Sequence, residues 1–148
     1  MPANGDPMFI RVGKNPSVLV TAANTSSQGG GTVGTDIFLA FTADATNGSF
    51  VRRVEWIPTA TTPTTTTATV GRVFLSSVAS GTTTSANTRL LAEVILPATG
   101  ADNATQAVFP VSIPLDIVLA PGETILVTNH AAPAANTAWR ANVLGGDY

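Results

Sequence analysis

The chain has no cysteine, a single histidine, few charges and no long apolar run. Each shortage removes a class of protein. Without cysteine there is no disulfide framework, no thiol chemistry and no Cys-ligated zinc. One histidine, His130, does not supply the paired spacings of common His metal sites. Charged residues make up 11% of the chain, against roughly 25% in an ordinary soluble domain. Seven Lys and Arg against nine Asp and Glu leave a net charge of -2. Nucleic-acid binding needs a basic surface, so no nucleic acid is expected. The opening MPANGDPMFIRVGK lacks a basic stretch followed by an apolar one, so no signal peptide is expected. The apolar runs are a few residues long, and no membrane partner is expected. At 148 residues the chain reads as one domain, able to bury roughly 70% of its unfolded surface without staples.

What is present is alternation. In Leu115 to His130, Ile117 and Leu119 lead into Pro121-Gly122, and Ile125 and Val127 follow. That pattern predicts two strands paired as a hairpin across a tight turn. The theme recurs at Ser17–Ala22, Asp36–Ala43, Phe50–Ile57, Val70–Ser77, Arg89–Leu96, Val108–Ile113 and Thr137–Leu144. Roughly eight or nine strands parted by turn signals predict an all-β antiparallel sandwich, jelly-roll-like. Residues 1–13 read as an extended N-terminal arm anchored by Met8, Phe9, Ile10 and Val12, and residues 14–148 as a single β-sandwich domain.

Side-chain phase adds detail. Asp36–Ala43 and Arg89–Leu96 are apolar on both faces, so each is expected to be covered twice, within a sandwich or by a neighbouring subunit. Phe50, Val54 and Trp56 are expected in the core with Arg52 at its rim. Phe109, Val111 and Ile113 are expected inward, as are Trp139, Ala141 and Val143. Pro58–Thr69, rich in Thr and Pro, predicts an exposed loop or protruding ribbon.

The residues do not specify a reaction. Gly29-Gly30-Gly31 lacks the Lys and the following helix of a phosphate-binding loop, and reads as a flexible loop. No Gly-x-Ser-x-Gly elbow accompanies His130, which reads as a surface or interface residue. Asp36, Asp44, Glu55, Glu93, Asp102, Asp116, Glu123 and Asp147 share no local motif. Asp44, Asp102 and Glu123 sit beside turns, where carboxylates ordinarily hold backbone amides. No catalytic residue, cofactor or metal is expected.

The short N-terminal arm, the Thr/Ala/Gly-rich β-segments, the lack of cysteine and the I-V-L-x-P-G-E-T-I-x-V run from Ile117 to Val127 carry a resemblance. The chain resembles the small structural proteins of tailed-bacteriophage virions, most of all the head decoration or cement type. The resemblance is one of style across most of the chain. It implies a non-enzymatic protein made in the host bacterial cytoplasm and residing in the virion. It also implies a homo-oligomer, trimer favoured, bound to the major capsid protein or another virion protein. Met8, Phe9, Ile10 and Val12 would be the partner-binding residues. The rival expectation is a carbohydrate- or receptor-binding β-domain of a tail fibre or tail module.

Overall fold

The computed structural model describes residues 10–101 and 107–148. These residues form β1 (Val12–Lys14), β2 (Ser17–Val20), β3 (Gly31–Thr32), β4 (Phe38–Thr42) and β5 (Ser49–Ala60). The chain continues with β6 (Thr64–Thr65), β7 (Thr69–Ser76), β8 (Thr82–Thr83), β9 (Thr88–Leu96) and β10 (Gly100–Ala101). It closes with β11 (Val111–Leu119), β12 (Thr124–Asn129) and β13 (Thr137–Asp147). No helix occurs among the described residues, and the class is all-β, a sandwich of antiparallel sheets.

In the front sheet β1 and β2 both pair with one side of β13, whose other side pairs with β5, followed by β11. The back sheet runs β4-β12-β7-β9. The pairings are nested: β2 with β13, β4 with β12, β5 with β11, β7 with β9. Two short ribbons, β3-β8 and β6-β10, stand beside the sheets. Val12 and Gly13, within the stretch read as arm, are therefore already hydrogen-bonded sheet. Met8 and Phe9 lie outside the described residues.

The core lies between the sheets. Val20, Val54, Trp56, Trp139, Ala141 and Val143 come from the front, and Phe41, Val73, Leu75, Ile125, Val127 and Leu96 from the back. Both tryptophans are core, as their phase predicted. A smaller cluster of Ile37, Phe74 and Leu126, joined by Val33 and Leu39, lies on the opposite face of the back sheet. Phe74 alternates with Val73 and Leu75, so β7 is buried on both sides. Ile37 is thus covered on its second side by this chain itself, while Leu39 stays half-buried. The outer residues of β9 differ, since Leu90 and Ile95 are exposed.

Three expectations need correcting. The strands flanking Pro121-Gly122 are not a hairpin. β11 pairs with β5 in the front sheet, and β12 with β4 and β7 in the back. Ala120 to Glu123 is a turn in which Glu123 N–H donates to the Ala120 carbonyl at 3.1 Å, with Gly122 at φ 78°. Pro then Gly with positive φ is the type II arrangement. A single sequence cannot tell this arch between sheets from a hairpin within one, because both need the same turn chemistry.

The second correction concerns Phe50, which is half-buried while Val51 is fully buried. Arg53 pairs with Leu144 and Pro114, yet Val51 pairs with Gly145 and Ile117, so Arg52 is passed over. That β-bulge inverts the phase of everything before it. Gly145 belongs to the same irregularity, because a Cβ there would strike the Phe50 carbonyl. The third is Phe109, which is 81% exposed, while Val111 and Ile113 do face the core. β11 starts only at Val111, immediately after Pro110.

The Thr/Pro tract is partly ordered into sheet. β5 runs on to Ala60, β6 pairs with β10, and Thr66 is buried. Thr66 Oγ1 donates toward the Pro97 and Thr99 carbonyls, which is how a polar stretch holds its place without large apolar residues.

Candidate interaction surface

The outward residues of the front sheet form cross-strand rows. Arg140 lies between Leu19 and Ile57, and Glu55 lies between Asn142 and Ser112. Arg53 lies between Leu144 and Pro114, and Phe50 between Gly146 and Val118. Leu19 and Val118 are exposed, and Ile57, Leu144 and Phe50 are half-buried. At the centre Arg53 Nε meets Glu55 Oε1 at 2.7 Å. This face mixes apolar area with one satisfied ion pair.

The N-terminal edge of the same sheet carries two of the predicted partner-binding residues. Val12 is 61% exposed and Ile10 is 46% exposed. Arg11 N–H donates to the Asp147 carbonyl, and the Ile10 side chain lies over Gly146, where a Cβ would displace it. Lys14 holds the edge down. Its ammonium donates to the Thr42 carbonyl at 2.6 Å, pairs with Asp147 at 3.4 Å and sits 4.9 Å from the centre of the Phe41 ring. Asp147 also accepts from the Ser49 hydroxyl. First and last strands are thereby tied across a shared carboxylate.

The carboxylates of Asp36, Asp44, Glu93 and Glu123 each carry bonds, while Asp116 is exposed. Asp36 accepts from Thr32 N–H, Glu123 from Ala120 N–H, and Glu93 from the Arg72 guanidinium. Asp44 accepts from the N–H groups of Asn47 and Thr46. Those two bonds, Asn47's first, hold its carboxyl below the ordinary value of 3.8, with Lys14 and Arg11 adding to the effect against a small burial penalty. Among the described residues no three of His, Cys, Asp and Glu gather as metal ligands. Asp102 lies outside them.

His130 is exposed, and its Nδ1 is 3.1 Å from Arg72 Nη2. An arginine can only donate, so Nδ1 accepts. Arg72 itself is buried and also donates to the Asn24 carbonyl. Asn24 in turn donates through Nδ2 to the Gly30 carbonyl and accepts from Ser26 N–H. The triple-glycine loop is therefore pinned to the back sheet. Gly31 has no room for a side chain, because Asn24 Nδ2 and Asp36 Oδ1 occupy the space.

A cavity of about 460 Å³ opens near the start of β13. Pro97, Thr99, Phe109, Pro110, Val111 and Trp139 line it. Phase alone missed it, because Phe109 read as core. The Trp139 indole N–H is buried with no acceptor among the described residues. No family model, curated protein or solved structure matches the chain.

Proposed function

We propose that this protein is a non-enzymatic structural component of a bacteriophage virion, a decoration or cement protein that binds the assembled head. The observation that carries the reading is the outward face of the front sheet, half apolar around the Arg53–Glu55 pair. Such a surface adheres to protein, and its binding stabilises an assembled lattice by linkage, with no reacting group required. The nested pairing across the five-strand and four-strand layers supports a jelly-roll-like reading, an arrangement common in capsid domains and in lectins. Residue style over the chain points to the virion. The partner is the major capsid protein or another virion protein, and the favoured assembly is a homotrimer. Synthesis takes place in the host bacterial cytoplasm.

The test is co-sedimentation with heads stripped of this protein, alongside light scattering of the free protein. A trimer that sediments with heads is the expected result. A monomer that stays in the supernatant sinks the reading. Truncation belongs at residues 1–9, because β1 begins at Val12 and a longer deletion would cut the sheet.

The second reading is a carbohydrate- or receptor-binding module, favoured by the exposed ring of Phe109 beside the Trp139 cavity. It requires tryptophan emission that moves when glycans are added. Blue-shifted emission indifferent to glycans belongs to the structural reading, since both indoles are buried.

A further inference from the structure

We infer that water is bound inside the sandwich, between the Trp56 indole of the front sheet and the Asn129 carboxamide of the back sheet. The site is independent of the virion role.

Both residues are fully buried. Asn129 ends β12. Its backbone is engaged, since its carbonyl accepts from Asn24 N–H at 2.7 Å. Its side chain is not. Neither Oδ1 nor Nδ2 has a hydrogen-bond partner among the described residues, and neither does Trp56 Nε1. Ile125 and Val127 face the core from the same strand, and a period of two sets Asn129 on that face as well. Asn129 stands opposite Gly71 of β7, and the Cβ positions of opposed residues lie ~4.5–5.5 Å apart. A Cβ on Gly71 would be 3.1 Å from Cε2 of Trp56, the ring carbon bonded to Nε1. Glycine at that position lets the indole reach the back sheet right beside the carboxamide. The three orphaned polar atoms therefore share one region of the core.

The atoms complement each other through an intermediary. The indole N–H donates, Oδ1 accepts and Nδ2 donates. Indole and Oδ1 would suit a direct bond, yet they do not make one. Water accepts from Nε1–H and donates to Oδ1, and a second molecule beside it accepts from Nδ2. Native interiors rarely leave such groups unpaired, and buried water settles where two to four polar groups converge. The surroundings are apolar. Leu96 is the other near neighbour of Gly71, at 3.0 Å from the same Cβ position, and the residues packed between the sheets are hydrophobic. Water held in such a place exchanges slowly with bulk solvent. It also ties β12 to β5 across the core, where the sheets are otherwise joined by apolar contact.

The test is nuclear magnetic resonance of the isotope-labelled full chain, whose two tryptophans give two indole signals. Trp56→Phe assigns them. The Trp56 indole proton should show a cross-peak to water, with the sign of a bound, long-lived molecule and not of proton exchange. Asn129→Leu and Trp56→Phe, made separately, should each remove at least one long-lived water from relaxation dispersion of the water oxygen. A Trp56 indole proton with no such cross-peak would overturn the site. So would folded variants that keep every long-lived water, or a scalar coupling across a direct Trp56–Asn129 hydrogen bond. The cross-peak is read on the parent chain, so a substitution that fails to fold does not spare the inference. It is also read on the free protein, so a failure to bind heads leaves the site standing.

Discussion

Gly71 of β7 lies under the indole of Trp56 of β5, and a methyl group on Gly71 would meet Cε2 and Cζ2 of that ring at 3.1 Å. This is the closest meeting of the two sheets seen from a glycine, and Leu96 closes the same space at 3.0 Å. Gly71→Val should therefore overpack the core and cost about 1–3 kcal/mol. Urea unfolding followed by tryptophan emission measures it, and an unchanged midpoint would show that the ring has room to retreat.

Two turn glycines with the same φ should respond differently. Gly122 and Gly48 both sit at φ 78°. Nothing lies near a Cβ on Gly122, whereas one on Gly48 would strike the Leu119 carbonyl. Gly122→Ala should cost only the backbone preference, about 1–2 kcal/mol. Gly48→Ala should cost more, because a strand carbonyl cannot step aside. Equal losses of melting temperature would contradict the placement of Gly48 against β11.

Arg72 and Glu93 form an asymmetric pair at 2.6 Å, with side chains 9% and 44% exposed. Removing the exposed partner should be the worse change. Glu93→Ala leaves a buried guanidinium without its counter-charge, held by the Asn24 carbonyl and His130 Nδ1, and should cost about 2–3 kcal/mol. Arg72→Met fills the same space with an apolar chain and lets Glu93 hydrate, so a loss nearer ~1–2 kcal/mol is expected from the Asn24 carbonyl alone. Denaturant midpoints of the two variants decide the order.

The pH dependence has a defined sign. The folded-state pKa of Asp44 lies below 3.8, so its contribution is present above 3.8 and fades as pH falls through the lower, folded value. Asp44→Asn keeps an acceptor oxygen and loses the charge. It should melt lower than the parent at neutral pH, and the two melting temperatures should converge in acid below 3.8. Parallel curves across that range would remove the role of the charge.

Much of the layer structure was legible because burial on one face imposes a period of two. The phase of β13 placed Trp139, Ala141 and Val143 correctly. Phase failed where the backbone slips. Nothing in Val51-Arg52-Arg53 announces a bulge, and Phe50 was lost to the core by it. The hairpin expectation failed for a different reason, since a Pro-Gly turn fixes local direction and not the sheet that each arm joins. The cavity beside Phe109 was invisible for a third reason. Pro97 and Trp139 meet there across forty-two positions of chain, and no local pattern records that meeting.

The nested order has a consequence in time. β1, β2 and β5 all pair with β13, which is made after the other twelve described strands. Until residues 137–147 emerge, β1 and β2 have unpaired backbone edges and no strand to zip against. Topologies of such high sequence separation assemble slowly. During synthesis this chain must wait, exposed, for its own closing seam.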